Sequence, residues 1–249
     1  MKRALVTGTT RLAFLQARTG STRLPRKVLE PVRGRPMLAW IVERLSRTDG
    51  LDGVVVVVPR GDTALIEFCA ARGIEWFEGS EADVLDRYRA AAQALGPQEV
   101  VRVTADCPLI DPAAVSQLIE LFREAGVEYA SIATGAVPAS TGLVRYPDGL
   151  DAEIFSSDVL ETAWREARDE YEREHVTPFI WRRPKRFPQV VLEAPRDLGD
   201  ERWTVDYPED LEFVRAVYER LGDEAFGYED VLGVLDEEPE LRWLSSSRR

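Results

Sequence analysis

LQARTGSTRLPRKVL, residues 15–29, is the stretch on which the reading of this chain turns. The apolar run at residues 12–15 reads as a first β-strand, and a helical pattern opens near Pro36. Between them runs a loop of small residues, Thr19, Gly20, Ser21 and Thr22, interleaved with Arg18, Arg23, Arg26 and Lys27. Gly20 permits a tight turn that aims backbone N–H groups at a ligand, and its small neighbours let that ligand come close. Arginine forks and a lysine point charge suit phosphate oxygens. Residues 11–35 carry seven basic side chains against one acid, Glu30, in a chain of net charge −12. Such a cationic island in an acidic protein suggests a polyphosphate site. A solvated basic loop is the plainer alternative. Two details weigh against it: the rigid Leu24-Pro25 insert between Arg23 and Lys27, and the position after a first strand, where open α/β sheets bind ligands. The loop has the glycine spacing of neither a Walker loop nor a dinucleotide fingerprint.

Outward from that loop, 249 residues can bury a sizeable core, and α/β units of this length often form one domain. The net charge and a pI near 4.8 argue against general nucleic-acid binding, which needs a broad basic surface. Cys69 and Cys107 sit in predicted core elements and suggest neither a disulfide framework nor a metal cluster. No segment approaches the roughly 18 apolar residues of a membrane span, and the N-terminus lacks a signal peptide's apolar region, so a cytoplasmic protein with no membrane partner is expected. The single histidine is His175, so any histidine-dependent nucleophilic mechanism must run through it.

Strands and helices alternate along the chain. Strands are expected at residues 53–59, 74–77, 99–104, 128–133, 189–193 and 202–205, with a further strand in YPDGLDAEIFS, residues 146–156. Helices are expected at residues 36–45, from Asp62 to Arg72, from Ser80 or Glu81 to Leu95, from Pro112 onward, at 157–168, 171–182, 208–221 and 228–235. This order implies an α/β fold with a mostly parallel sheet. Residues 1–10 read as a short extension before a single domain at 11–249. Residues 134–142 turn loop-like, with Gly135, Pro138, Ser140 and Gly142, and could form a lid.

Two strands end in a carboxylate: Asp106 in TADCP and Asp206 in TVDYP. The plain reading makes Asp106 a turn residue, and it makes Asp111 a helix cap, which is the reading preferred for Asp111. Cys107 reads as a packed small residue. Asp148, Asp151 and Glu153 are either a turn with an exposed strand face or part of a site. His175 reads as a structural or acceptor-side residue, not a catalytic one.

The basic loop resembles the signature loop of cytidylyltransferases that make CMP-activated sugars. The resemblance is nearest to the spore coat polysaccharide biosynthesis protein F family, with acylneuraminate and 3-deoxy-manno-octulosonate cytidylyltransferases more distant. VRVTADCPLIDP (101–112), YPDGLDAEIFS (146–156), REHVTPFIW (173–181) and RWTVDYPEDLEFV (202–214) follow in the family's order, so residues 12–241 are covered. The resemblance implies a Rossmann-like, three-layer nucleotide-diphospho-sugar transferase fold. It implies transfer of CMP from CTP to a hydroxyl of a sugar, by analogy an acidic one, with release of pyrophosphate. Arg18 and Lys27 would be catalytic. Ala17, Arg18, Thr19, Gly20, Ser21, Arg23, Lys27 and Asp106 would bind the nucleotide, and Asp106 and Asp206 would hold Mg²⁺. Asp148, Asp151, Glu153 and His175 would lie on the acceptor side, in a lobe around residues 134–200 that also serves a homodimer.

Parallel strand ends share an edge, so Asp106 and Asp206 are expected within about 4–7 Å of each other, the span of direct or water-mediated Mg²⁺ ligation. Without metal, one of them is expected to show a raised pKa. The chain departs from the family at Arg26, where glycine is usual. Arg26 either strains the loop or adds a phosphate contact. VVVVVPRGD (54–62) also lacks the family's threonine-rich continuation, leaving the base contacts unassigned. A nucleotide-sugar glycosyltransferase, a cytidylyltransferase for a phosphonate or other non-sugar acceptor, and a non-catalytic nucleotide-binding regulator are the alternatives. The first usually carries Asp-x-Asp where this chain has Asp106-Cys107-Pro108.

Overall fold

Arg11–Gln16 (β1) runs through the interior of the sheet in the computed structural model, which describes residues 10–246. Period-two alternation sends Ala13 and Leu15 to one face and Leu12 and Phe14 to the other, all of them buried. A strand with two apolar faces requires helices on both. The expected extension at residues 1–9 lies outside the described residues.

After β1 the basic loop and a short 3₁₀ turn at Lys27–Leu29 lead to a small hairpin, β2 (Pro31–Val32) and β3 (Arg35–Pro36), and to helix α1 (Met37–Leu45). The chain continues through β4 (Gly53–Pro59), α2 (Thr63–Arg72), β5 (Glu75–Gly79), α3 (Val84–Leu95), β6 (Glu99–Thr104) and α4 (Pro112–Ala125). Next come β7 (Tyr129–Ile132), β8 (Glu153–Ser156), α5 (Ser157–Glu166), α6 (Glu170–His175), α7 (Pro178–Trp181) and β9 (Gln189–Leu192). The last helices are α8 (Pro208–Leu221), α9 (Tyr228–Glu237) and α10 (Arg242–Ser246). Seven strands form one sheet in the order β5-β4-β1-β6-β8-β7-β9, parallel throughout except for β8, which runs against both neighbours. α1, α2, α4, α8 and α9 cover the face that holds Leu15, Val56 and Val101, while α3, α5 and α7 cover the face that holds Phe14, Val57 and Val100. Among the described residues no helix is long and apolar enough to cross a membrane.

Several local expectations are met closely. Asp62 caps α2, and Asp111 caps α4 by accepting from the amides of Ala113 and Ala114. Others need correction. α3 starts at Val84, capped by Asp83 and not by Ser80 or Glu81: the Asp83 carboxylate accepts from the Asp86 amide at 2.9 Å. The helix expected across residues 171–182 is broken into α6 and α7 at Val176, whose φ is 71°, unusual for a buried β-branched residue. Only Glu153 of the three acids in YPDGLDAEIFS lies on a strand. Residues 202–205 are not a sheet strand. They form an extended loop, held by bonds from the Trp203 amide to the Asp148 carbonyl (2.6 Å) and from the Val205 amide to the Asp106 carbonyl (2.8 Å).

Candidate active site

The Val205–Asp106 bond joins two loops a hundred residues apart, and it sets the geometry of the site. Asp106 lies just past the end of β6, and Asp206 lies just before α8. Asp210, in the first turn of α8, accepts from the backbone amides of both Asp206 (2.8 Å) and Tyr207 (2.9 Å) while Arg202 forks onto its carboxylate at 2.7 and 3.1 Å. Asp206 is thereby held at a defined place on the sheet edge.

Opposite it stands Lys27, whose Nζ donates to the Val205 carbonyl at 2.6 Å and to Asp206 Oδ1 at 3.1 Å, and lies 3.8 Å from Asp106 Oδ2. Sharing Lys27, the nearest oxygens of the two carboxylates can be no more than about 7 Å apart, the upper limit of the span expected for them. Arg23 Nη2 adds a bond to Asp206 at 2.8 Å, and Arg202 approaches from the other side at 3.4 Å. Burial would raise the Asp206 pKa, but Lys27, Arg23 and Arg202 together bring it below the ordinary carboxylate value. The expectation of a raised pKa within this pair therefore fails at Asp206, because cations and not Asp106 are its nearest neighbours.

These groups face a cleft of about 190 Å³ lined by four segments: the end of β1 with the basic loop, the start of α3, the end of β6 with Asp106, and Asp206. Of the residues expected to contact nucleotide, Ala17, Arg18, Ser21, Arg23, Lys27 and Asp106 line it, as does Asp206. Thr19 does not: its amide and hydroxyl both donate to the Asp62 carboxylate, at 2.8 and 3.0 Å, and tie the loop to the start of α2. Gly20 is exposed, and a Cβ built there would meet nothing within 4 Å. The left-handed residue of the loop is instead Arg26, at φ 59° and ψ 20°. Ser21 and Arg26 both donate backbone N–H groups to the Thr19 carbonyl, at 2.9 and 3.0 Å, and close the loop on itself.

The four acceptor-side residues are dispersed. Asp148 lines a second cavity of about 400 Å³, together with residues 135–139, Arg145, Gly199, Asp200 and Arg202. Burial raises its pKa, opposed by Arg202 and reinforced by Asp106. Asp151 accepts from Thr134 Oγ1 at 2.6 Å and from the Gly149 amide at 2.8 Å, yet burial and the Asp148 carboxylate push it up to about 7. Glu153 sits in a network beneath the cleft, accepting from Arg102 (2.5 Å), Tyr129 Oη (2.5 Å) and Thr177 Oγ1 (2.7 Å). His175 is exposed and stacks on Tyr171 with ring centroids 4.3 Å apart. It lines neither cavity.

Sequence reasoning passed over Gln16, Thr104, Val84 and Arg87, all of which line the first cleft. Gln16 and Thr104 could have been found from strand ends alone, since they are the last residues of β1 and β6 and pair in register. Arg87 carried no such signal. A charged residue in a helix's first turn reads as solvent-facing, yet this one is buried against Gly79 and donates to the Ser80 carbonyl at 2.8 Å. Burial pushes its pKa down. Cys107 is buried, and its thiol is pushed well up by burial and by Asp106, which suits packing and not nucleophilic attack.

Two carboxylates sharing one cation suit a hard divalent metal that keeps waters and substrate oxygens in its shell. Among the described residues no group of three or more His, Cys, Asp or Glu side chains is gathered for an all-protein cage. The donor set fits a divalent metal that shares its shell with substrate oxygens.

A mostly parallel three-layer sheet with a cationic loop and two aspartates at its carboxyl edge defines a nucleotidyltransferase of the nucleotide-diphospho-sugar transferase fold. Residues 12–229 match the model of the family described as cytidylyltransferase, and the chain belongs to that family. It is 31% identical over 221 residues to the spore coat polysaccharide biosynthesis protein SpsF of Bacillus subtilis, across 85% of this chain and 88% of that one. It is 30% identical over 165 residues to the 3-deoxy-manno-octulosonate cytidylyltransferase of Acidobacterium capsulatum, across 66% and 65% of the two chains. A cytidylyltransferase structure from Leptospira borgpetersenii superposes with a TM-score of 0.86 at 29% identity, covering 94% of this chain and 97% of that one.

Proposed function

We propose that this enzyme transfers CMP from CTP to a hydroxyl of a small sugar acceptor, with Mg²⁺, releasing pyrophosphate. The observation that carries the reading is Lys27 set between Asp106 and Asp206 in a cleft open to Arg18 and Arg23. Asp106 and Asp206 would hold Mg²⁺, which when bound polarises the α-phosphate and acidifies the attacking hydroxyl. Lys27, Arg18 and Arg23 bind the triphosphate and neutralise the charge that develops on pyrophosphate as its bond to the α-phosphorus breaks. Asp62 holds the loop in place through Thr19, so these cations need little reorganisation during the reaction. The acceptor hydroxyl approaches from the side of the second cavity, where Asp148 can accept a hydrogen bond from it, and it releases its proton to solvent water as its oxygen bonds to phosphorus and pyrophosphate leaves. Residues 134–200 supply much of that cavity's wall, which supports reading them as the acceptor side.

The SpsF and 3-deoxy-manno-octulosonate relatives support a sugar acceptor for cell-surface polysaccharide. Pyrophosphate release, measured with each of the four nucleoside triphosphates and a mixed pool of acidic sugars, tests the reading. Release that requires CTP and an acidic sugar supports it. Release with UTP or ATP in preference to CTP would overturn the cytidylyl assignment, and release with a phosphonate in place of a sugar would overturn the acceptor class.

A further inference from the structure

We propose that Gln16 reads the nucleotide's base, and that the half-buried Arg102–Glu153 pair fixes which face of its amide the base meets. The inference rests on the cytidylyl reading above and assigns the discriminating contact.

Gln16 is the last residue of β1, and its side chain lines the cleft at the sheet edge itself. The Lys27, Asp106 and Asp206 side chains come instead from loops beyond the strand ends. Its immediate neighbours in the cleft wall, Ala17, Thr104 and Ala105, are small and uncharged and leave room for a base. Arg102 Nη2 donates to Gln16 Oε1 at 3.4 Å. A guanidinium has only donors, so the amide oxygen must face Arg102 and the amide NH₂ must face away from it. Among the described residues that NH₂ has no protein hydrogen-bond partner.

Arg102 in turn cannot swing away. Its Nη1 is bound to Glu153 at 2.5 Å, and Glu153 is held by Tyr129 and Thr177 on its other oxygen. Arg102 and Glu153 face each other across the β6–β8 pair, in register. The network thus holds Gln16 as a hydrogen-bond donor toward the cleft. Cytosine presents two acceptors along its pairing edge, N3 and O2. Uracil presents a donor, N3–H, where cytosine has an acceptor. The contact assigned to the fixed NH₂ is ring position 3: there it donates to cytosine N3 and meets the N3–H donor of uracil, whereas O2 is an acceptor in both bases and would not discriminate. Gln16 touches the base, and Arg102 is a positioning residue acting through it.

Calorimetric binding of CTP, UTP and inorganic tripolyphosphate, each with Mg²⁺, to wild type, Gln16→Leu and Gln16→Glu tests this. Gln16→Leu should lower the CTP-to-UTP affinity ratio about tenfold, the scale of one hydrogen bond, without changing tripolyphosphate binding. Gln16→Glu presents only acceptors to the cleft and should lower the ratio further, by improving UTP. Both variants should melt cooperatively, and either one alone suffices if the other fails to fold. A folded variant that keeps the wild-type ratio overturns the assignment of Gln16 while leaving the cytidylyl reading intact. A wild-type enzyme with no preference for CTP over UTP overturns the cytidylyl reading itself. The two failures are thus distinguishable.

Discussion

Replacing Arg26 with glycine should stabilise this protein, and the structure sets the size of the effect. Arg26 occupies the left-handed region, φ 59° and ψ 20°, in the turn that leads into Lys27–Leu29. That conformation costs a residue with a Cβ about 1–2 kcal/mol. Its side chain is exposed and makes no hydrogen bond or ion pair to a described residue that would offset the cost. Glycine removes the clash but loses more freedom on folding, about 0.5–1 kcal/mol. The net gain should be about 0.5–1 kcal/mol, which in a chain of this size raises the melting temperature by about 1–4 °C. Scanning calorimetry on wild type, Arg26→Gly and Arg26→Ala is the assay. Alanine keeps the Cβ and should gain nothing. Equal stability of Gly and Arg variants, or an equal gain from Ala, would refute the strain argument. Since Arg26 does not line the cleft, CTP affinity should stay within about twofold, a change too small for loss of one charge-assisted bond. A larger loss would show that Arg26 reaches a phosphate, the other role its position allows.

Three further outcomes follow from the same geometry. Lys27→Met should lower turnover by about a hundredfold through lost charge stabilisation, yet tighten Mn²⁺ binding without nucleotide about tenfold, because the cation between Asp106 and Asp206 is gone. Electron paramagnetic titration reads the second effect, and unchanged Mn²⁺ affinity would contradict the shared-cation geometry. Asp106→Asn and Asp206→Asn should each abolish pyrophosphate release, with the double variant scarcely worse than either, because both act on one ion. Additive losses in single-turnover rates would show two independent roles. Asp151, pushed up to about 7 in the fold, binds more protons folded than unfolded between about pH 4 and 7, so stability falls as pH rises through that window. Asp151→Asn removes the titrating group, and its melting temperature relative to wild type should therefore rise from pH 5 to pH 8. A constant difference across that range would count against the raised pKa.

The two-faced core was legible from residue order because burial on both sides of a parallel strand leaves an unbroken apolar run. Residues 12–15 and 54–58 carry that mark, and the strands expected there match β1 and β4 closely. Caps were legible for a similar reason: Asp62 and Asp111 act within three residues of themselves, so local sequence is enough to place them. The 202–205 segment misled because RWTV has the composition of a strand, while its amides are spent on the Asp148 and Asp106 carbonyls and not on a ladder. The break at Val176 did have a local mark, Pro178, which cannot continue the α6 ladder and opens α7 instead. In the site, the basic loop and the two aspartates that close apolar runs, Asp106 and Asp206, stood out by charge and position. Their mutual arrangement did not, since it depends on the Val205–Asp106 bond and on Lys27 reaching across 178 residues of sequence to the Val205 carbonyl. Gln16 could be placed at a strand end, but its contacts, like those of Arg87, were out of reach of sequence for one reason. A polar side chain gains its meaning from what surrounds it, and the Arg102 and Gly79 that surround these two are brought to them only by folding. Sequence alone determined which residues are apolar at which period and where charge gathers along the chain. Tertiary structure alone decided which of those charges meet, because contact between distant residues depends on the whole sheet order and not on any local pattern.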